Sequence, residues 1–256
     1  MTVAVHTNIG RRLELLAALL DHEAGTGRGM GVVSVSARVG REKSQVSRGL
    51  ASLVRERMAD RDPETLEFSV GPAMLALAAR AGSPHLLVVA QPVLEALAAE
   101  VGERADLAVV SDGQVLAVDS VAASNTVQSV GWTGRRTPLH CTAAGRVLLA
   151  GLDETAGREL VGAGPLPVAG PNGPTDPDDL FARVAEARRR GCAVADRELD
   201  PDVMAIAAPV SDGRGVTIAA VTVAGPAFRV AERIDEVGAA VRRAAAAISA
   251  AGRAGG

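Results

Sequence analysis

The sequence has few aromatic, cysteine and lysine residues. Aromatics make up 2% of the 256 residues and tyrosine is absent, so a hydrophobic core has to be built from Ala, Val and Leu. Two cysteines, Cys141 and Cys192, provide neither a disulfide framework nor a zinc-binding spacing. There is no signal-peptide pattern, and no apolar run approaches the roughly 18 residues that span a bilayer. We therefore expect a cytoplasmic protein with no metal, no other cofactor and no membrane partner.

Charge is unevenly distributed along the chain, although the net charge is only −3. Residues 1–80 hold eleven basic against nine acidic residues, and the remainder holds sixteen against twenty-one. Within residues 38–48, Glu42 is the only acid beside Arg38, Arg41, Lys43 and Arg48. A local basic patch in an acidic protein favours a small DNA contact over nonspecific binding through a basic surface that covers the whole protein. The length of the chain suggests two domains.

Residues 34–56 have the pattern of a helix-turn-helix, with helices expected at about 34–39 and 42–56. Ser34 is a suitable N-cap for the first helix. Gly40 can turn the chain sharply, since glycine enters left-handed backbone space at little cost. After the turn, one apolar stripe is formed by Val46, Leu50, Leu53 and Val54.

The opposite face of the second helix offers polar side chains that suit the major groove of DNA. Gln45 can pair with adenine, and Arg48 with guanine or a phosphate. Leu66, Phe68 and Val70 then alternate as a strand after a polar turn, which is the order of a winged helix-turn-helix. An ordinary solvated helix face is the alternative. The predicted DNA-contacting residues are Ser34, Arg41, Lys43, Ser44, Gln45, Ser47, Arg48 and Arg61.

The rest of the chain predicts an α+β domain after a boundary near residue 82. A helix is expected at about 85–101. Two hairpins are centred on residues 111–113 and 211–215, since Asp-Gly favours a tight turn. Further helices are expected at 142–150, 180–190 and 231–251. Helices beside an antiparallel sheet are typical of a sensory domain.

Three blocks of residues resemble the IclR family of transcriptional regulators. They are the recognition-helix entry over residues 40–48, the Pro-Leu-His block over residues 138–146, and the paired strands around residues 206–210 and 223–226. The resemblance implies an N-terminal winged helix-turn-helix domain and a C-terminal GAF-like α/β effector-binding domain. From the pattern along the chain, we expect the first at 1–71, a connecting helix at 72–84, the second at 85–251 and a tail at 252–256. The resemblance also implies a homodimer, often paired into a tetramer.

Two departures from the family pattern affect the recognition helix. Gly49 stands where the family usually has leucine, which should weaken the helix by about 0.5–1 kcal/mol relative to alanine. Gln45 replaces a common threonine, so the family's base preference does not transfer to this chain. The operator sequence and the sign of regulation stay open.

The family's ligand pocket, carried over by position, gives a candidate effector site. Backbone N–H groups of Ala143 and Ala144 would face a carboxylate at a helix start. Ala205 and Ala224 stand where relatives with small-acid ligands have Cys and Ser, which favours a larger or more apolar ligand. Trp132 forms either part of the pocket wall or a partly buried anchor at a contact between domains or subunits. The predicted effector-binding residues are Trp132, Ala143, Ala144, Asp196, Glu198, Ala205, Thr222 and Ala224.

The function that these features favour is a non-enzymatic DNA-binding regulator, whose binding to double-stranded operator DNA is controlled by a small organic or aromatic acid. One alternative is an enzyme or ligand-binding protein with a vestigial helix-turn-helix, and another is a regulator that needs no ligand. A Cys–His dyad is disfavoured, since adjacent His140 and Cys141 point to opposite faces of an extended segment. No catalytic residue is assigned.

Overall fold

The computed structural model describes residues 8–74, 77, 84–123 and 132–254. The chain forms two compact units, Met1–Pro84 and His85–Gly256. The finer division of the first unit into a DNA-binding domain and a connection over 72–84 stays a prediction. No helix in the described residues is long and apolar enough to cross a membrane.

Three helices build the first unit: α1 (Asn8–Thr26), α2 (Val32–Val39) and α3 (Lys43–Arg55). Gly40 ends α2 in the left-handed conformation at φ 65°, which confirms the predicted turn. The predicted N-cap is wrong. Helix α2 begins at Val32 with Gly31 at its N-cap, so Ser34 lies inside the helix, in its first turn, and is not the cap residue.

A two-stranded wing follows α3. Strands β1 (Ala59–Arg61) and β2 (Phe68–Val70) pair antiparallel. Leu66, predicted to belong to the strand, instead lies in the turn at φ 59°. The turn is held by the Asp62 carboxylate, which accepts the backbone N–H groups of Glu64 and Thr65. The core of the unit contains Leu15, Leu19, Val35, Val46, Leu50, Leu53 and Phe68.

A six-stranded antiparallel sheet forms the centre of the second unit, in the order β5-β4-β3-β8-β7-β6. Two hairpins supply its centre, as predicted. The first joins β3 (Arg104–Ser111) to β4 (Gln114–Val121), and the second joins β7 (Val203–Ser211) to β8 (Thr217–Pro226). The edge strands are β5 (Arg136–Pro138) and β6 (Ala193–Asp196).

Helices cover both faces of this sheet, which confirms the α+β fold class. Helices α4 (Pro84–Val101) and α9 (Ile234–Ala254) pack on one face. Helices α5 (Ala143–Ala150) and α7 (Pro177–Arg190) pack on the other. Two shorter helices complete the unit, α6 (Glu154–Val161) and α8 (Ala227–Glu232).

Alternate residues of β7 and β8 face helices α5 and α7, because the side chains of a strand point to opposite faces of the sheet in turn. On β8, Val221 and Val223 are buried against the α4 and α9 side. Side chains alternate along a strand, so Thr222 and Ala224 point to the α5 side. On β7 the same alternation directs Ile206 to one face and Ala205 to the other. The α5 side thus receives a threonine between small alanines.

Candidate functional site

The N-terminal half of α3 presents a continuous polar surface. Its apolar stripe is buried in the core through Val46, Leu50 and Leu53. The N-cap residue Glu42 makes no side-chain cap, so the first N–H groups of the helix stay available to a ligand. The exposed side chains are those of Lys43, Ser44, Gln45, Ser47 and Arg48. Helix α3 can therefore offer donors at one end while its other face is buried.

The remaining residues of the predicted DNA contact are placed differently. Arg41 is engaged by Glu14 of α1, whose carboxylate lies 2.9 Å from Nε and 2.8 Å from an Nη atom. Its guanidinium is therefore already neutralised. Ser34 is exposed on α2. Arg61 is exposed on β1, with its guanidinium carbon 5.4 Å from the centroid of the Phe68 ring.

Gly49 has a packing role that the sequence did not reveal. A Cβ atom at this position would lie 2.5 Å from Cδ1 of Leu15, on α1. Leu15 is buried, and it occupies the space that a leucine at position 49 would fill. The absent side chain therefore allows α1 and α3 to approach closely.

A cavity of about 560 Å³ lies in the second unit, between the sheet and the N-terminus of α5. Much of its wall is formed by short apolar side chains of the sheet, including Ala108, Val115, Ala117, Ala195, Ala205 and Ala224. Six of the eight residues predicted for the effector site line it: Trp132, Ala143, Ala144, Ala205, Thr222 and Ala224. A cavity of this size and character accommodates a small organic molecule.

The start of α5 points unpaired donors at this cavity. Thr142 caps the helix by accepting the N–H of Gly145 at 3.1 Å, and its hydroxyl donates to the carbonyl of Pro138. Within the described part of the chain, the N–H groups of Ala143 and Ala144 have no acceptor, although both residues are buried. The positive end of the helix dipole adds to their attraction for an anion.

Polar side chains on the sheet face the same space. The Thr222 hydroxyl is buried and has no partner among the described residues. Its register neighbour on β3 is Asp106, which receives Arg104 Nε at 3.0 Å and the hydroxyl of Ser120 at 2.6 Å. Burial raises the pKa of the Asp106 carboxyl, although Arg104 beside it acts in the opposite direction. The cavity thus contains a hydroxyl and a carboxyl apart from the donors of α5.

Trp132 lines the cavity, and two arginines lie against its ring. The guanidinium carbons of Arg104 and Arg135 are 4.0 and 4.7 Å from the centroid of its ring. Cations at these distances are attracted to the indole face. The structure therefore places Trp132 on the cavity wall.

Two residues predicted for the effector site do not line the cavity. Glu198 is buried in an ion pair with Arg146 at 2.7 Å, and Arg183 lies 3.2 Å from the same oxygen. Asp196 is half-buried beside Arg197, which follows the end of β6 in the left-handed conformation at φ 53°. This backbone turn directs the segment so that Leu199 and Asp200 line the cavity instead.

Sequence reasoning also missed Arg104 and Asp106. A signal was present, because a carboxylate between Ala105 and Leu107 interrupts an apolar strand, and a buried charge requires a partner or a function. Their position beside Thr222 depends on pairing between distant strands, which local patterns do not report.

His140 and Cys141 do not form a reactive pair. His140 Nε2 lies 2.9 Å from the carbonyl oxygen of Pro167. Burial raises the pKa of the Cys141 thiol to about 11, so it stays protonated near neutral pH. In the described ranges, no three His, Cys, Asp or Glu side chains are grouped so that they could hold a metal ion.

Residues 78–250 match the family model described as bacterial transcriptional regulator IclR C-terminal. The Pca regulon regulatory protein of Pseudomonas putida is 30% identical over 88% of this chain and 76% of its own length. The glycerol operon regulatory protein of Streptomyces griseus is 32% identical over 93% of this chain and 94% of its own length. A crystal structure of an IclR homolog from Microbacterium hydrocarbonoxydans, complexed with 4-hydroxybenzoate, has a TM-score of 0.72 and 26% identity, covering 95% of this chain and 99% of that one.

Proposed function

Because this chain belongs to the IclR family of bacterial transcriptional regulators, we propose that α3 is its DNA-recognition helix and that the 560 Å³ cavity is its effector site. The protein is a DNA-binding transcriptional regulator whose operator binding is controlled by a small-molecule effector. Its relatives are regulators, and we assign no catalytic role. A regulator of this kind works in the cytoplasm, where its DNA is.

The roles on α3 follow from the exposure and chemistry of its side chains. Gln45 is assigned to an adenine edge, and Arg48 to a guanine edge or a phosphate. Lys43, Ser44 and Ser47 surround the open N-terminus of the helix and suit phosphate oxygens. Arg61 on the wing suits the backbone beside the groove. Ser34 and Arg41 have weaker support, because the first lies within α2 and the second is bound by Glu14.

The effector that best fits the cavity is an organic acid with an aromatic body. Its carboxylate would accept from the N–H groups of Ala143 and Ala144, while the alanine-rich wall would contact the ring. A hydroxyl on the far side of that ring would pair with Thr222 or Asp106. The relative crystallised with 4-hydroxybenzoate supports this chemistry. The observation that carries the assignment is the set of buried unpaired donors around one cavity, because such groups normally have partners.

A fluorescence titration tests the effector site. Trp132 is the only tryptophan in the chain, so its emission should change as 4-hydroxybenzoate saturates the cavity, and a two-carbon acid should bind far more weakly. Thr222→Val should weaken binding of the aromatic acid by about 3- to 10-fold, the value of one neutral hydrogen bond. Thr217→Val, on the same strand outside the cavity lining, is the matched control. Emission that no organic acid alters would refute the assignment.

The regulator is proposed to act as a homodimer or homotetramer. Effector binding controls DNA affinity only if the effector binds the DNA-competent and DNA-incompetent arrangements of the protein with different affinity. Footprinting on DNA beside its own gene separates this function from the alternative of an enzyme with a vestigial helix-turn-helix. Turnover of an acid without any footprint would support the alternative.

A further inference from the structure

A second cleft, of about 340 Å³, lies within the first unit between α1 and α3. Four of its nine lining residues are arginines, and two others carry side-chain amides. The cleft is lined by Asn8, Arg11, Arg12, Leu15, Arg41, Gln45, Val46, Arg48 and Gly49. Asn8, Arg12 and Leu15 follow one face of α1 at the spacing i, i+4, i+7, so the helix presents them together.

The positive charge of this cleft is poorly compensated. The carboxylate of Glu14, on α1, is already bound by Arg41 of the cleft through two nitrogens. Among the described residues, no carboxylate lies within ion-pair distance of Arg11, Arg12 or Arg48. The segments that the structure does not describe contain no aspartate or glutamate that could supply one.

One donor in the cleft is buried and unsatisfied. Nη1 of Arg12 is shielded from solvent and has no hydrogen-bond acceptor in the part of the chain that the structure describes. A guanidinium carries five donors and no acceptor, so the oxygen atoms of a phosphate suit it. Buried donors without partners are uncommon in folded proteins, so this one indicates that the cleft binds an anion.

We propose that this cleft binds a phosphate group of the DNA backbone, so that Arg11 and Arg12 extend the DNA contact from α3 onto α1. Guanidinium forks match phosphate oxygens in charge and geometry. The cleft shares Gln45 and Arg48 with the exposed face of α3, so a duplex held by that face passes beside it. Gly49 and Leu15 also line the cleft, where α1 and α3 approach closely. The inference rests on the proposed role of α3 as the recognition helix.

Salt dependence of DNA binding by the full-length chain tests this contact. Each phosphate contact contributes about −0.9 to the slope of log K against log salt concentration. Arg12→Gln should therefore make the slope about one unit shallower, equally on DNA from beside its own gene and on a random duplex. Arg28→Gln removes the same charge from the loop after α1 and should leave the slope unchanged. Arg12→Lys should keep most of the slope, since it keeps the charge.

Inorganic phosphate provides the second arm of the experiment. If the phosphate comes from DNA, millimolar phosphate should show no saturable binding to the protein alone by calorimetry. Saturable phosphate binding that Arg12→Gln abolishes, with an unchanged DNA slope, would identify a free anion and overturn the backbone assignment. If Arg12→Gln does not fold, as judged by circular dichroism, the exposed Arg11→Gln carries the same prediction.

The two proposals fail in different ways. Wild-type protein that binds no DNA would refute the role of α3. Wild-type binding with the same salt slope in Arg11→Gln and Arg12→Gln would refute only the cleft.

Discussion

Gly49 illustrates how a single residue combines a cost in helix propensity with a gain in packing. Glycine in a helix interior costs about 0.5–1 kcal/mol relative to alanine. The gain is that Leu15 of α1 occupies the space that a side chain at position 49 would take, and it is buried in the core of the first unit. The family's usual leucine therefore cannot be introduced here without displacing another leucine.

We predict that Gly49→Leu lowers the free energy of unfolding by about 1–2 kcal/mol, because overpacking a core costs about 1–3 kcal/mol and exceeds the gain in helix propensity. Gly49→Ala should cost less than Gly49→Leu, because its Cβ overlaps only with Cδ1 at the end of the Leu15 side chain and the gain in helix propensity offsets part of that overlap. Urea denaturation measures both. Combining Gly49→Leu with Leu15→Ala should cost clearly less than the sum of the single changes. Strict additivity would show that the two side chains do not compete for this space.

At the scale of elements, the segment after β6 depends on a buried ion pair. Glu198 and Arg146 each have about 5% of their side chain exposed, and Arg183 approaches the same carboxylate. Burial lowers the pKa of the Arg146 guanidinium, although Glu198 beside it acts in the opposite direction. The pair therefore holds the segment that brings Leu199 and Asp200 to the cavity.

Removing one partner of this pair should be strongly destabilising. Glu198→Ala leaves the Arg146 charge buried without compensation, which costs about 3–5 kcal/mol. Asp196→Ala is the matched control, because its pair with Arg197 is about 40% exposed and such pairs contribute less than about 1 kcal/mol. Thermal or urea unfolding distinguishes them. Equal, small losses for the two variants would mean that the buried pair does not anchor the segment.

The elements also show what the sequence can predict. Helix α3, helix α4 and the two central hairpins carry local signals, namely an apolar stripe or a tight-turn dipeptide, and the structure confirms them. Strand β6 and helix α6 were not predicted, since each is short and has little periodicity of its own. The cap at Ser34 was wrong because α2 begins two residues earlier, at Val32.

The candidate site was predictable only in part, for a related reason. Ala143, Ala144 and Thr222 line the cavity because the Pro-Leu-His block and the paired strands occupy the positions that the resemblance implied. The direction of Glu198 depends on the left-handed backbone of Arg197 and on the distant Arg146. Contacts of this kind arise from the tertiary fold, and no local pattern encodes them.

At the scale of the whole molecule, we propose that the first unit recognises DNA and that the second binds the effector. The two functions should therefore be separable by mutation. Arg48→Ala should lose affinity for DNA and part of the salt dependence while still binding the acid. Thr222→Val should bind DNA normally without the acid but require a higher concentration of it to respond.

The most direct test is the affinity of the full-length protein for DNA from beside its own gene, measured by fluorescence anisotropy with and without a saturating aromatic acid identified by the tryptophan titration. Allosteric coupling of about 1–3 kcal/mol corresponds to a change in affinity of about 5- to 150-fold. We predict a change in this range for the wild-type protein, with its midpoint moved to higher acid concentration in Thr222→Val. An affinity for DNA that stays the same while the acid saturates the cavity would contradict the account.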